Sequence, residues 1–174
     1  MCDELRSIPG AEVQQCDAAH LPFATASFDT VIANHMLYHV DDPAAAVAEL
    51  CRVLRPGGRL FVALNGLDHL QELFDIGDAI GRPSVIRQQA RVTAETAEPL
   101  LAASHLADVS HERFPGAFEV AEPGPVVAYL GSVGDGPLSP EQEQVVRTAV
   151  ASRIEKEGTF RVTKNMVLFS GRKE

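Results

Sequence analysis

His35 and His39 stand four residues apart in the stretch "FDTVIANHMLYHVDDP", Phe28 to Pro43, beside Asn34 and Tyr38. On a helix that spacing would turn both imidazoles the same way, where they could share a metal ion. The residues between them are Met36, Leu37 and Tyr38, so the H-E-x-x-H pattern of zinc proteases is absent and no third ligand is spaced nearby. No metal is expected. An imidazole changes charge near neutral pH, so His35 or His39 could instead serve as a general base; the alternative is a hydrogen-bonded wall histidine. Leu37 and Val40 are expected to pack.

Elements must hold this cluster in place. "DTVIAN" has the apolar, β-branched character of a strand ending near Asn34. Asp42 can then cap a helix that has Pro43 at its first position, and Val47, Leu50, Cys51 and Leu54 fall on one of its faces. Pro56 ends that helix by Arg55, and Gly57-Gly58 turn the chain into a second strand, Arg59 to Leu64. Strand, helix, turn and strand in this order form a parallel crossover. Upstream, "AEVQQCDA" is expected to be a short strand ending at Asp17, followed by a loop containing Pro22.

Downstream, Leu67, Leu70, Leu73, Phe74 and Ile80 suggest a helix, though Gly77 weakens it, and Thr96 could cap another through "TAEPLLAASHL". "ADVSHERF" is expected to be a strand paired with "TFRVTKNMVLFSGRK", while "GPVVAYLGSV" is a helix or a turn. Ser139-Pro140-Glu141-Gln142 is a capping box, opening a helix through Val145, Val146, Ala149, Val150 and Ile154 that Gly158 closes. The Gly- and Pro-rich stretch from Glu122 to Pro140 suggests a surface connection that could move over a site. The whole is expected to be one α/β domain, residues 1–174.

Ligands of such sheets bind beyond the carboxyl ends of the strands, which singles out Asp17-Ala18, Asn34-His35-Met36 and Asn65-Gly66. Asp17 could accept a hydrogen bond from an exocyclic amine while the Ala18 amide donates to a ring nitrogen, which is one way to read an adenine. The alternative is an Asx turn. Asn65 and His69 in "LNGLDH" are candidate substrate contacts, against a reading as turn and helix-start residues.

The bulk properties narrow the partners. A formal net charge of -9 opposes a nucleic-acid partner, because polyanion binding rests on Lys and Arg neutralising phosphates. No apolar run approaches the roughly 18 residues of a membrane helix, and the N-terminus lacks a secretory pattern, so a cytoplasmic protein acting on a small molecule is expected. Three scattered cysteines, Cys2, Cys16 and Cys51, suggest neither a disulfide framework nor a zinc site, and read as reduced packing residues. No G-x-S-x-G and no phosphate loop is present, which removes support from hydrolase and kinase readings. A nicotinamide enzyme lacks its G-x-G-x-x-G fingerprint.

Taken together, Asp17, "LPF" (Leu21 to Phe23), "SFD" (Ser27 to Asp29), His39 and "RVLRPGG" (Arg52 to Gly58) resemble the middle of class I S-adenosylmethionine-dependent methyltransferases of the small-molecule type. The match spans about Cys16 to Gly66. It implies a Rossmann-like, mostly parallel sheet with a C-terminal antiparallel strand pair, and S-adenosylmethionine as cofactor. Asp17 and Ala18 would meet the adenine; Asn34, His35 and Met36 would border the methionine and sulfonium part; Tyr38 and His39 would lie on the substrate side. Methyl transfer is a direct displacement at an activated carbon, so the protein mainly aligns the reactants and supplies a base where the acceptor needs one.

The family's glycine-rich loop after its first strand, and the acid after its second, are not in this sequence. The resemblance therefore implies a domain lacking its first two strands. In the family's strand order, the third and fourth strands would then stand roughly 14 Å apart where pairing needs about 4.8 Å. A rearranged third strand, a homodimer or a strand-swapped dimer is the expected outcome, or else a need for residues upstream. A non-catalytic methyltransferase-like binding or dimerisation module is the alternative to an enzyme.

Overall fold

A computed structural model describes residues 6–84, 90–133 and 136–174. Four strands form one mixed sheet in the order β1-β2-β4-β3. β1 (Phe28–Asn34) runs parallel to β2 (Leu54–Asn65), with Asn34 opposite Ala63. β4 (Phe160–Lys173) runs antiparallel to β2 on one side and to β3 (Leu106–Val120) on the other. The expected pairing of the two late strands is therefore observed, and the parallel part of the sheet is reduced to the single β1/β2 pairing.

α1 (Pro43–Val53) joins β1 to β2 and starts as its sequence requires: the Asp42 carboxylate accepts from the Ala45 amide at 3.0 Å, with proline at the first position. Its Val47, Leu50 and Cys51 pack with Leu60, Val62 and Leu64 of β2, and with Leu101 from α3 (Ala97–Ala102). The alternation along β2 sends every second residue into this core. A second core lies on the opposite face of the β4 end. There α2 (Gln71–Ala79), α4 (Gly124–Ser132) and α5 (Pro140–Glu157) enclose Phe160 and Val162. Each large side chain withdrawn from water contributes about 1.5–3 kcal/mol.

Several expectations are corrected. Residues 11–16 form no strand; among the described residues the upstream segment makes only an isolated bridge between Asp17 and His20, and no further strand stands apart from β1. Its run "AEVQQ" has no neighbour to pair with, and isolated strands do not persist. Thr96 does not cap α3; its hydroxyl instead accepts from the Thr93 amide. "GPVVAYLGSV", open between helix and turn, holds a helix inside the connection from Glu122 to Pro140, whose residues 134–135 lie outside the described ones. β2 begins at Leu54, before the glycines, and Gly57 makes its turn (φ 79°) inside a register shift against β1. Leu67 lies in the turn before α2, not on the helix. The capping box at Ser139 and the αL closure at Gly158 are observed, but Val145 is 49% exposed while Val146 and Val150 are buried. Cys51 is buried, Cys16 is exposed and so does not pack, and Cys2 lies outside the described residues.

The sheet is not covered everywhere. Ile32, opposite Phe61 in register, is 67% exposed, and among the described residues nothing pairs with the outer edge of β1.

Candidate functional site at the carboxyl ends of β1 and β2

Because β1 and β2 are parallel neighbours, their carboxyl ends open on the same side, the position at which open α/β sheets bind ligands. At the end of β1 the His35 amide donates to the Ala63 carbonyl at 3.0 Å. His35 itself is left-handed (φ 51°), an uncommon conformation for a residue with a Cβ, and it swings the chain out of the sheet. A 3-10 turn follows, Leu37–His39. Leu37 is fully buried and pins this turn to the core, with Val40 packed beside it, as their apolar character requires. His35 and His39 are thus not stacked on one helix: His35 is half-buried, His39 is exposed, and the Tyr38 ring lies 6.5 Å from the first and 4.4 Å from the second. Burial raises the pKa of the Tyr38 hydroxyl.

After β2 the chain is captured by β4. The β2/β4 ladder ends with Asn65 opposite Met166, which leaves groups of Thr163 and Asn165 open on that side. The segment from Gly66 to Glu72 takes them. Gly66 donates its amide to the Asn165 carbonyl at 3.0 Å, and Leu70 donates to the Thr163 carbonyl at 2.8 Å. The Asn165 amide donates to His69 Nδ1 at 3.1 Å, and its side chain donates to Asp68 at 2.7 Å. Glu72 accepts from both the amide and the hydroxyl of Thr163, at 2.8 and 2.6 Å. At position 66 an added Cβ would lie 2.6 Å from Asn165 Nδ2, so any larger residue would have to displace the Asn165 side chain. Asn165 and Thr163 carried no signal in the sequence, since each acts on residues more than ninety positions away.

Ala94 donates to the Asn65 carbonyl at 3.1 Å, and Arg91 reaches across to the Asp41 carbonyl.

Within this end of the sheet two buried polar atoms, His35 Nδ1 and Asn65 Oδ1, have no partner among the described residues. Buried polar atoms are nearly always hydrogen-bonded, and each orphan costs about 1–3 kcal/mol. Two orphans at adjacent strand ends are what a bound polar molecule would satisfy, so the residues present fit one wall of a cofactor or substrate pocket. His69, half-buried, has its pKa lowered, first by burial and then by His35, against the pull of Asp68.

The structure brings Asn34, His35, Met36, Tyr38, His39, Asn65 and His69 to this one end. Asp17 sits on the segment before β1. Its carboxylate accepts from the Ala19 amide at 2.9 Å and meets His20 Nδ1 at 3.2 Å, an Asx-type turn that lowers its pKa. Ala18 packs against the core. Among the described residues no hydrogen bond or ring contact joins Asp17 to the histidine cluster.

The opposite end of the same strands is closed. Arg52 donates to Leu21 O, Phe23 O and both oxygens of Glu49, while Glu49 also accepts from the Leu21 amide at 2.8 Å. Arg52 holds the Glu49 carboxyl down to about 2. Arg55 places Nη1 at 2.7 and 2.8 Å from the two oxygens of Asp29. The two arginines of "RVLR" therefore tie down "LPF" and "SFD".

Residues 2–62 match a sequence family described as a methyltransferase domain. Over that stretch the chain is similar to methyltransferases. It is 48% identical over 50 residues to the ubiquinone/menaquinone biosynthesis C-methyltransferase UbiE of Desulfotalea psychrophila, covering 29% of this chain and 20% of that one. A demethylmenaquinone methyltransferase of Thermobifida fusca is 40% identical over 82 residues, 45% of this chain and 35% of that one. The chain thus spans well under half the length of these curated relatives. Its fold matches a crystal structure from Bacillus halodurans C-125 with TM-score 0.62 and 17% identity, over 93% of this chain and 77% of that chain. The likeness of fold accordingly extends beyond the stretch that sequence similarity covers. No helix among the described residues is long and apolar enough to cross a membrane.

Proposed function

We propose that this chain forms the acceptor-facing wall of a site for methyl transfer from S-adenosylmethionine to a small molecule. The observation that carries the reading is the pair of orphaned buried atoms, His35 Nδ1 and Asn65 Oδ1, at the carboxyl ends of adjacent parallel strands. The cofactor supplies a methyl group on a positive sulfur, which needs little further activation. Asn34, His35 and Met36 would hold its methionine part, with Asp17 and the Ala18 amide at the adenine. Tyr38, Asn65 and His69 would position the acceptor, and His39, exposed beside Tyr38, or His35 would remove a proton from an acceptor that carries one.

The test is titration calorimetry of this chain with S-adenosylhomocysteine, with Asn65→Leu as the comparison. Saturable heat that Asn65→Leu weakens at least tenfold is expected; heat at the level of buffer dilution overturns the reading for this chain.

A second reading rests on the uncovered face at Ile32 and the unpaired edge of β1. Bare strand edges are templates for other strands. On this reading the chain is a homodimer or strand-swapped dimer that serves as a binding module, and light scattering that finds only monomer at all concentrations removes it.

A further inference from the structure

Resting on the methyl-transfer reading above, we propose that His69 meets the acceptor molecule as a neutral Nε2–H donor, held in that tautomer by the Asn165 amide, and that it selects acceptors presenting an oxygen lone pair. A phenolate, enolate or carbonyl oxygen has the right chemistry; an ammonium group does not.

The tautomer follows from one contact. The Asn165 backbone N–H can only donate, and it donates to His69 Nδ1 at 3.1 Å. In a neutral ring the nitrogen that accepts carries no hydrogen, so the proton sits on Nε2. A second proton could bind only at Nδ1, which would set two N–H groups against each other and strip the Asn165 amide of its partner. His69 is therefore a poor base and a good donor.

The surroundings act in the same direction. The ring is half-buried, and burial, the largest cause, disfavours its charged form; His35 and Lys164 add repulsion, while Asp68 pulls the other way. Asp68 is itself engaged by the Asn165 side chain at 2.7 Å. Nothing among the described residues accepts from Nε2. The ring is also fixed in place, because its own amide is bonded to the Gly66 carbonyl at 3.1 Å and Gly66 to the Asn165 carbonyl at 3.0 Å. One residue of β4 thus sets the position, the tautomer and the neighbouring acid of His69.

Asn65 Oδ1 and His35 Nδ1 lie buried at the same end of the sheet without a partner among the described residues, but an amide oxygen only accepts, so the contact that reads an oxygen lone pair is that of His69 alone. An ammonium would meet an N–H where it needs a lone pair.

The experiment is long-range proton–nitrogen NMR on histidine-labelled protein between pH 5 and 8, with His69 assigned from the spectrum of His69→Gln. The Nε2–H pattern is expected at pH 7, with protonation only below the usual histidine range. An Nδ1–H pattern or an imidazolium at pH 7 overturns the proposal. Two probes then test selectivity at equal concentration: 4-nitrophenolate should move the His69 Nε2–H signal and benzylamine should not. A signal moved by benzylamine alone, or by neither, overturns the substrate half. Absence of heat with S-adenosylhomocysteine would condemn the methyl-transfer reading without altering either NMR result, so the two failures are distinguishable.

Discussion

The two ends of β2 treat their polar groups in opposite ways. At the amino end Arg52, Glu49, Arg55 and Asp29 satisfy one another and the carbonyls of the loop before β1, and the Lys173 ammonium donates to the Arg52 and Leu54 carbonyls. At the carboxyl end His35 turns left-handed, and two buried atoms have no partner among the described residues. Both ends belong to the same strand and share one core, so the difference is not one of packing. Full satisfaction is what a structural joint requires, whereas strain and orphaned atoms are the features on which the proposed binding site rests.

Substitutions can break this contrast. The largest effect is expected for Leu37→Ala, which empties a fully buried position beneath the histidine turn and should cost about 3 kcal/mol in denaturant unfolding. Next comes Gly66→Ala, whose Cβ would strike Asn165 Nδ2; about 1–3 kcal/mol is expected, with the His69 NMR signal shifted because the clamp must move. Asn65→Leu sharpens the comparison by reversing the sign. Removing an orphaned acceptor should leave stability unchanged or raise it by about 1 kcal/mol while weakening ligand binding. A matching loss of stability would show that Asn65 is satisfied and structural.

The smallest effect is one of pH at the closed end. The Glu49 carboxyl lies at about 2 in the folded protein against 4.5 ordinarily, so its bonds contribute fully above about pH 4.5 and are lost as the pH falls through about 2. Unfolding measured from pH 6 to pH 2 should show the advantage of the natural chain over Glu49→Gln shrinking within that window and constant above it.

Local rules carried much of the fold. Asp42-Pro43 and Ser139-Pro140 each begin a helix because their caps act within three residues, and β2 alternates because its neighbours on one face are buried. The histidine cluster was legible by its place after an apolar strand. The Asx turn at Asp17 was an open alternative, and its geometry is what forms. What stayed illegible depends on partners distant in sequence. "AEVQQCDA" has strand character but no strand to join, and the roles of Asn165 and Thr163 exist only once β4 lies beside the segment after β2.

That last dependence bears on the order of folding. Links spanning more than ninety residues close large loops, and such contacts form late because their entropy must be met before they reward it. An intermediate with β1, α1 and β2 in place would have the histidine turn but a free segment from Gly66 to Glu72. His69 would then be an ordinary solvated imidazole, and it acquires its fixed tautomer in the same step that docks β4.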